Sequence, residues 1–253
     1  MIWTPARKLH VSGQVSDLFG GRFVETPGRI LSAAGPPVAG YVAWYDASKL
    51  DAFTLSGTTI TVWHDRTGSF DAIPAGGTVS YDDTSHPDFP VASFPSSGEN
   101  SLKSDCDARN VRPSSSFLVC SITSLANHRS LLAPQAGGGN VLRVNTDDRL
   151  HTIKSSISDL ASDGAHAVPV GSATVLGQVI DATTITHYVD GDSETDSNST
   201  AFSSSAKLDI GADRPPTGTA PMYGWIGEIV IYDFALTPTE ALEVTDYLTA
   251  KWL

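Results

Sequence analysis

The chain has 253 residues, of which 40% are hydrophobic and 17% charged, with 28 acidic against 16 basic side chains and a formal net charge of −12. That is enough apolar material for a core and too little charge for a disordered chain. A surface this acidic, with no run of basic residues, repels a phosphate backbone and excludes nucleic acid as a partner. No apolar stretch approaches the ~18–20 residues of a membrane span.

Residues 1–39 read as an extended N-terminal arm for docking or assembly. Their short apolar clusters, with Trp3, Leu18, Phe19 and Phe23 as contact residues, lack a sustained period, and they end in a Gly35-Pro36-Pro37 linker. A disordered leader is the alternative. Met1 to Lys8 lacks the order of charge, apolar run and cleavage site of a signal peptide, so export by that route is not expected.

From Gly40 the pattern changes to strands. Tyr41–Tyr45 is rich in strand formers and stops at Asp46-Ala47-Ser48, and Thr58–Trp63 alternates and stops at Asp65-Arg66-Thr67-Gly68. Ser116–Ile122 is continuously apolar, as in a strand buried on both faces. Strands follow over 140–144, 173–180, 184–189, 207–210 and 225–232. Asp190-Gly191 after Tyr188-Val189 marks a hairpin, because that turn needs positive φ. One helix is signalled: Thr237 as N-cap, Pro238 at the first helical position and Glu240 closing a capping box. Ala241, Val244, Leu248 and Trp252 then recur at helical spacing. The 22 Asp against six Glu favour turns over helices. Cys106 and Cys120 are too few for a disulfide scaffold or a four-cysteine zinc site; pairing between them stays open.

The motif Tyr41-Val42-Ala43-Trp44-Tyr45-Asp46-Ala47-Ser48, then Val62-Trp63-His64-Asp65-Arg66-Thr67-Gly68 and His187-Tyr188-Val189-Asp190-Gly191, resembles concanavalin A-like, laminin G-like jelly-roll domains. The closing block Gly224–Thr237 and its capped helix carry the likeness furthest. The resemblance covers residues 40–253 and implies an all-β fold, an antiparallel two-sheet jelly-roll sandwich with one C-terminal α-helix. Trp44 and Trp63 then pack in the core. Glu228 lies on an exposed face or in a buried ion pair. Function follows less directly, because the fold serves lectins, glucanases, lyases and structural modules.

Little in the sequence points to catalysis, and the expectation is a protein that is not an enzyme. Glucanases of this superfamily carry Glu-x-Asp-x-x-Glu on one strand, which places a carboxylate pair on one face; none of the six glutamates here shares a strand with another. The seven histidines form no zinc spacing, and there is no nucleophile elbow or phosphate-binding glycine loop. The acidic run Asp190, Asp192, Glu194 and Asp196 reads as a solvated hairpin tip. Laminin G-like domains often hold calcium at a sandwich edge, so the resemblance makes Asp190, Asp192 and Asp196 the candidate Ca²⁺ ligands. A sugar site wants an aromatic platform beside polar groups on a loop. Asp213 and Arg214 with Tyr223 meet that description, against an ordinary long loop.

Modules resembling this one are common in bacteriophage tails and capsid decorations. The expectation is therefore a non-enzymatic virion structural protein, a minor tail or surface decoration protein. It would lie in the virion, outside the cell after host lysis, with other virion proteins and further copies of itself as partners and host-surface glycan as a ligand. A free carbohydrate-binding lectin is the alternative, and a glycan hydrolase or lyase ranks third.

Overall fold

Short stretches of alternating and apolar residues give strands, and this chain forms nineteen among the residues described. The computed structural model describes residues 15–16, 22–23, 35–49, 51–108, 113–135, 139–154, 160–198, 202, 207–212 and 220–253. The chain divides into two units, Met1–Gly35 and Pro36–Leu253. In the first, Val15–Ser16 (β1) pairs antiparallel with Arg22–Phe23 (β2). Trp3, Leu18 and Phe19 lie outside the described residues, and of Phe23 the backbone alone is described.

The second unit holds Tyr41–Asp46 (β3), Phe53–Ser56 (β4), Thr59–Trp63 (β5), Ala72–Gly76 (β6), Ser80–Asp82 (β7), Val91–Phe94 (β8) and Ser101–Ser104 (β9). Ser114–Ile122 (β10), Arg129–Pro134 (β11), Asn140–Val144 (β12), Arg149–Lys154 (β13), Leu160–Ala167 (β14) and Thr174–Ile180 (β15) follow. Thr184–Val189 (β16), Asp192–Ser197 (β17), Leu208–Ile210 (β18) and Gly224–Tyr232 (β19) complete the strands, and Pro238–Trp252 forms α1. All pairings between these strands are antiparallel, and one isolated bridge, Ile122 to Val170, is parallel. One run is β17-β16-β15-β10-β19-β3, and a second is β14-β13-β12-β11-β18-β9-β6-β5-β4. β7 and β8 bridge β5 to β19, so the seventeen strands form one continuous sheet. It is nearly closed: at the two far ends the Ala165 N–H on β14 donates to the Glu194 carboxylate on β17. The all-β antiparallel class and the C-terminal helix are as expected, whereas hydrogen bonding joins the expected two sheets into one.

Polar side chains link the two runs through the interior. The Tyr45 hydroxyl on β3 donates to Ser104 Oγ on β9 at 2.7 Å, and Ser104 donates on to the Phe70 carbonyl at 2.8 Å. Thr152 on β13 donates to Gln178 Oε1 on β15 at 3.0 Å and lies 2.7 Å from His187 Nε2 on β16. Around these links pack Leu118, Leu176, Ile229, Ile231, Leu132 and Leu150, all fully buried.

Helix α1 is fixed at both ends. Its capping box is complete: Thr237 Oγ1 accepts the Glu240 N–H at 3.3 Å and the Thr237 N–H donates to Glu240 Oε2 at 2.8 Å. At its other end Lys251 and Trp252 reach a buried carboxylate, Glu228 on β19. Glu228 accepts from Trp44 Nε1 (2.7 Å), Tyr247 Oη (2.9 Å), Lys251 Nζ (2.7 Å) and Trp252 Nε1 (2.7 Å). Asp46, its cross-strand partner, is equally buried and takes Lys251 at 2.7 Å. One lysine thus faces two buried carboxylates. Burial, then the Asp46 charge, pushes the Glu228 carboxyl up against the pull of Lys251. Of the two readings offered for Glu228, the structure selects the buried ion pair. Trp63 is fully buried and Trp44 nearly so. Cys106 and Cys120 are both buried, and no disulfide joins them.

Candidate functional site

The β12–β13 hairpin turns through Asn145-Thr146-Asp147-Asp148, with Asp148 at φ 63° and its N–H donating to the Asn145 carbonyl at 3.1 Å. Asp and Asn tolerate that conformation better than other non-glycine residues, which is why this short polar turn suits them. The turn sets the register: Arg143 lies opposite His151, and Ser130 of β11 lies opposite Arg143. Three polar side chains therefore form a row across three strands on one face. Alternation puts Ala133, Val141 and Ile153 on that face as a small apolar cluster of their own. Leu132, Leu142 and Leu150 face the main core.

Charge gathers where this row meets the turn. His151 Nε2 lies 3.0 and 3.1 Å from the two oxygens of Asp147. Burial pushes the Asp147 carboxyl up, but the bonds from His151 and the Arg149 N–H outweigh it and hold it below the usual carboxylate range. His128, just before β11, is held below its usual value first by burial and then by the Arg143 charge. His151 is buried, His128 and Arg143 are half-buried and Asp147 is exposed, so the cluster opens to solvent at the turn. Two imidazoles, a guanidinium and a carboxylate there offer donors and acceptors in fixed positions beside an apolar patch. Such a set can bind hydroxyl-rich ligands.

Arg129 connects this cluster to Tyr223. Its guanidinium carbon sits 4.3 Å from the centre of the Tyr223 ring. Arg129 is 2% exposed and has backbone carbonyls as acceptors: Ser124 at 2.6 Å, His128 at 3.2 Å and Pro221 at 3.4 Å. Tyr223 is held half-buried, its ring braced from behind.

The residues singled out from sequence fare unevenly. Tyr223 is half-buried against the Arg129 guanidinium, while Asp213 and Arg214 lie outside the described residues. Asp190 occupies the β16–β17 turn at φ 50°, and its Oδ1 accepts the Val175 N–H at 2.7 Å. Asp192 and Asp196 lie four residues apart on β17, roughly 13 Å at strand pitch. These three do not converge, and no group of three or more His, Cys, Asp or Glu able to hold a metal ion occurs among the described residues. The acidic run is a strand rather than a tip, paired residue for residue with β16 from Val189–Asp192 to Thr184–Ser197. The His128, Arg143, Asp147 and His151 cluster is absent from the sequence reading. Its signal is the turn Asn-Thr-Asp-Asp between Val-Leu-Arg-Val and Arg-Leu-His-Thr-Ile, which sets Arg143 against His151 once β13 is recognised.

No protein-family model matches the chain, and no curated protein matches it by sequence. Solved structures do match in fold. Domain 4 of AbnA, a GH43 extracellular arabinanase from Geobacillus stearothermophilus, in complex with arabinotriose, superposes with a TM-score of 0.62 at 19% identity, covering 81% of this chain and 98% of that one. Trypanosoma rangeli sialidase in complex with sialic acid superposes with a TM-score of 0.58 at 15% identity, covering 84% of this chain. The match spans 33% of the sialidase chain. These likenesses correct one expectation: the fold occurs within two glycosidases, so the expectation, drawn from missing motifs, of a protein that is not an enzyme does not stand. In backbone architecture the chain is similar to domains of carbohydrate-active proteins.

Proposed function

We propose that the second unit binds a glycan at the β11–β13 face, with His128, Arg143, Asp147 and His151 contacting sugar hydroxyls and Tyr223 supplying an aromatic edge. The observation that carries this reading is the Arg143–His151 cross-strand pair closed by Asp147, a polar set held rigid by a hairpin beside the apolar Val141 and Ile153. Sites on strands are held more firmly than sites on loops, and a rigid polar set loses less entropy on binding. The arabinotriose complex of a similar domain supports the sugar class. In this reading the two strand runs form the two layers of a jelly-roll sandwich, residues 1–39 act as a docking arm, and Asp213 and Arg214 are further sugar-binding residues. A place on a phage virion, among other virion proteins, rests on the sequence resemblance alone.

The test is a glycan array probed with the full chain and with Arg143→Ala and His151→Ala. Binding to at least one glycan class by the parent, lost or weakened about tenfold or more in both variants, is expected. Equal binding by parent and variants, or none by the parent, overturns the reading.

A further inference from the structure

At the opposite edge of the second strand run, three side chains stand in a relay that glycan binding does not use. Thr54 is on β4, whose register pairing among the described residues is with β5. His64 follows β5 and Asp71 precedes β6. Thr54 Oγ1 lies 2.8 Å from His64 Nε2, and His64 Nδ1 lies 3.0 Å from Asp71 Oδ2. A carboxylate at Nδ1 selects the tautomer with the proton on that nitrogen, leaving Nε2 to accept the threonine proton.

The relay is braced behind the carboxylate. Asp71 Oδ1 accepts the Asp65 N–H at 2.8 Å. The Asp65 carboxylate in turn accepts the backbone N–H groups of Trp44 (2.8 Å), Thr67 (3.2 Å), Ser69 (3.1 Å) and Phe70 (3.0 Å). Asp65 is buried, so the loop from 65 to 71 is anchored from within. Opposite Thr54 the β4–β5 register slips: Thr54 faces Val62 and Leu55 faces Ile60, leaving Thr61 as an extra residue whose hydroxyl donates to the Thr54 carbonyl at 2.9 Å. Bulges re-aim side chains and recur beside reactive sites. Thr54 is exposed, and the His64 and Asp71 side chains are 38% and 45% exposed, so a substrate reaches the hydroxyl without a conformational change.

We infer that Thr54, His64 and Asp71 form an acyl-transfer site that hydrolyses esters of small acyl groups, with Thr54 as nucleophile, His64 as general base and Asp71 as the positioning residue. The Thr54 oxygen attacks the ester carbonyl carbon while its proton passes to His64 Nε2. The C–O bond to the alcohol breaks, and His64 returns the proton to the leaving oxygen. Water, deprotonated by His64, then attacks the acyl-threonine, releasing the acid and restoring the hydroxyl. Ester plus water gives acid plus alcohol, and nothing is oxidised or reduced. The relay's exposure fits acyl groups that project from a larger molecule, such as ester substituents on a polysaccharide. A general base contributes about 10²–10⁴-fold, so esters are the class expected to react, activated ones fastest, and amides are not.

The experiment is hydrolysis of p-nitrophenyl acetate by the full chain, with mass spectrometry of the acid-quenched reaction. The expected result is turnover above buffer, an added acetyl group on the peptide containing Thr54, and a loss of about 10²-fold or more in Thr54→Val and His64→Gln. Thr54→Ser retains activity and carries the label. Asp71→Asn lowers the rate and displaces the pH profile, which a residue of merely structural role would not do. Turnover equal in the parent and in Thr54→Val, label on another residue, or no turnover above buffer overturns the assignment. The glycan-array result is independent of all three, since these residues lie outside the proposed binding face.

Discussion

His187 gives the sharpest test of the interior polar link between the strand runs. Thr152 donates its hydroxyl hydrogen to Gln178 Oε1 at 3.0 Å, so its oxygen accepts from His187 Nε2–H at 2.7 Å, and burial favours the neutral imidazole. Burial, reinforced by the His151 charge and opposed by Asp196, lowers its pKa to about 4. In the unfolded chain the same group titrates near ~6.5. The unfolded state therefore binds more protons between those values. The contribution is fully present above ~6.5 and is lost as pH falls toward about 4. At ~1.36 kcal/mol per pH unit that interval is worth about 3 kcal/mol. His187→Asn removes the titration. Urea denaturation of both proteins from pH 7.5 to 4 should show the parent losing about 3 kcal/mol more than the variant, roughly 1–2 M in midpoint for a slope near 2 kcal/mol/M. Parallel curves would refute the reasoning, as would an imidazole resonance of His187 titrating near 6.5.

Other perturbations follow from the same geometry. Glu228→Ala strips four donors of their acceptor and leaves Lys251 with Asp46, so a loss of about 3–5 kcal/mol in chemical denaturation is expected, and less than 1 kcal/mol would contradict the buried-pair account. A Cβ on Gly227 would sit 2.6 Å from the Trp252 ring, so Gly227→Ala should cost about 1–3 kcal/mol and shift the tryptophan emission. Thr237→Ala removes one half of the capping box and should cost about 1 kcal/mol in the same assay, with the fold retained by far-UV circular dichroism.

The parts of the fold legible in the sequence are those with strong local signals. The capped helix, the Asp190-Gly191 turn and strands such as Ser114–Ile122 each announce themselves through capping chemistry, positive φ or a continuous apolar run. Eleven of the nineteen strands do not. β6 carries Pro74, β8 and β9 are four residues each, and β17 reads Asp-Ser-Glu-Thr-Asp-Ser. Such segments are strands because neighbours pair with them, not because of their own propensity. β17 pairs in register with β16, and its other flank meets β14 through the Glu194 side chain, so polar residues suit it and its composition looks like a loop. The candidate site was hidden for the same reason. Arg143 and His151 meet through the pairing of β12 with β13, and without β13 neither has a partner in view. Thr54, His64 and Asp71 likewise meet through β4 and β5, of which the sequence reveals one. The Glu228 pair was foreseeable as an acid on an apolar strand, but its lysine lies on α1, 23 residues further on.

The central claim is that a glycan binds across the β12–β13 hairpin. Hydrogen exchange on the full chain, with and without saturating arabinotriose or the best array ligand, tests it most directly. The account predicts slowed exchange in residues 140–154 and 128–130, with residues 53–71 unchanged. Protection confined to other segments, or exchange unaltered everywhere in the presence of a ligand that binds, would contradict it.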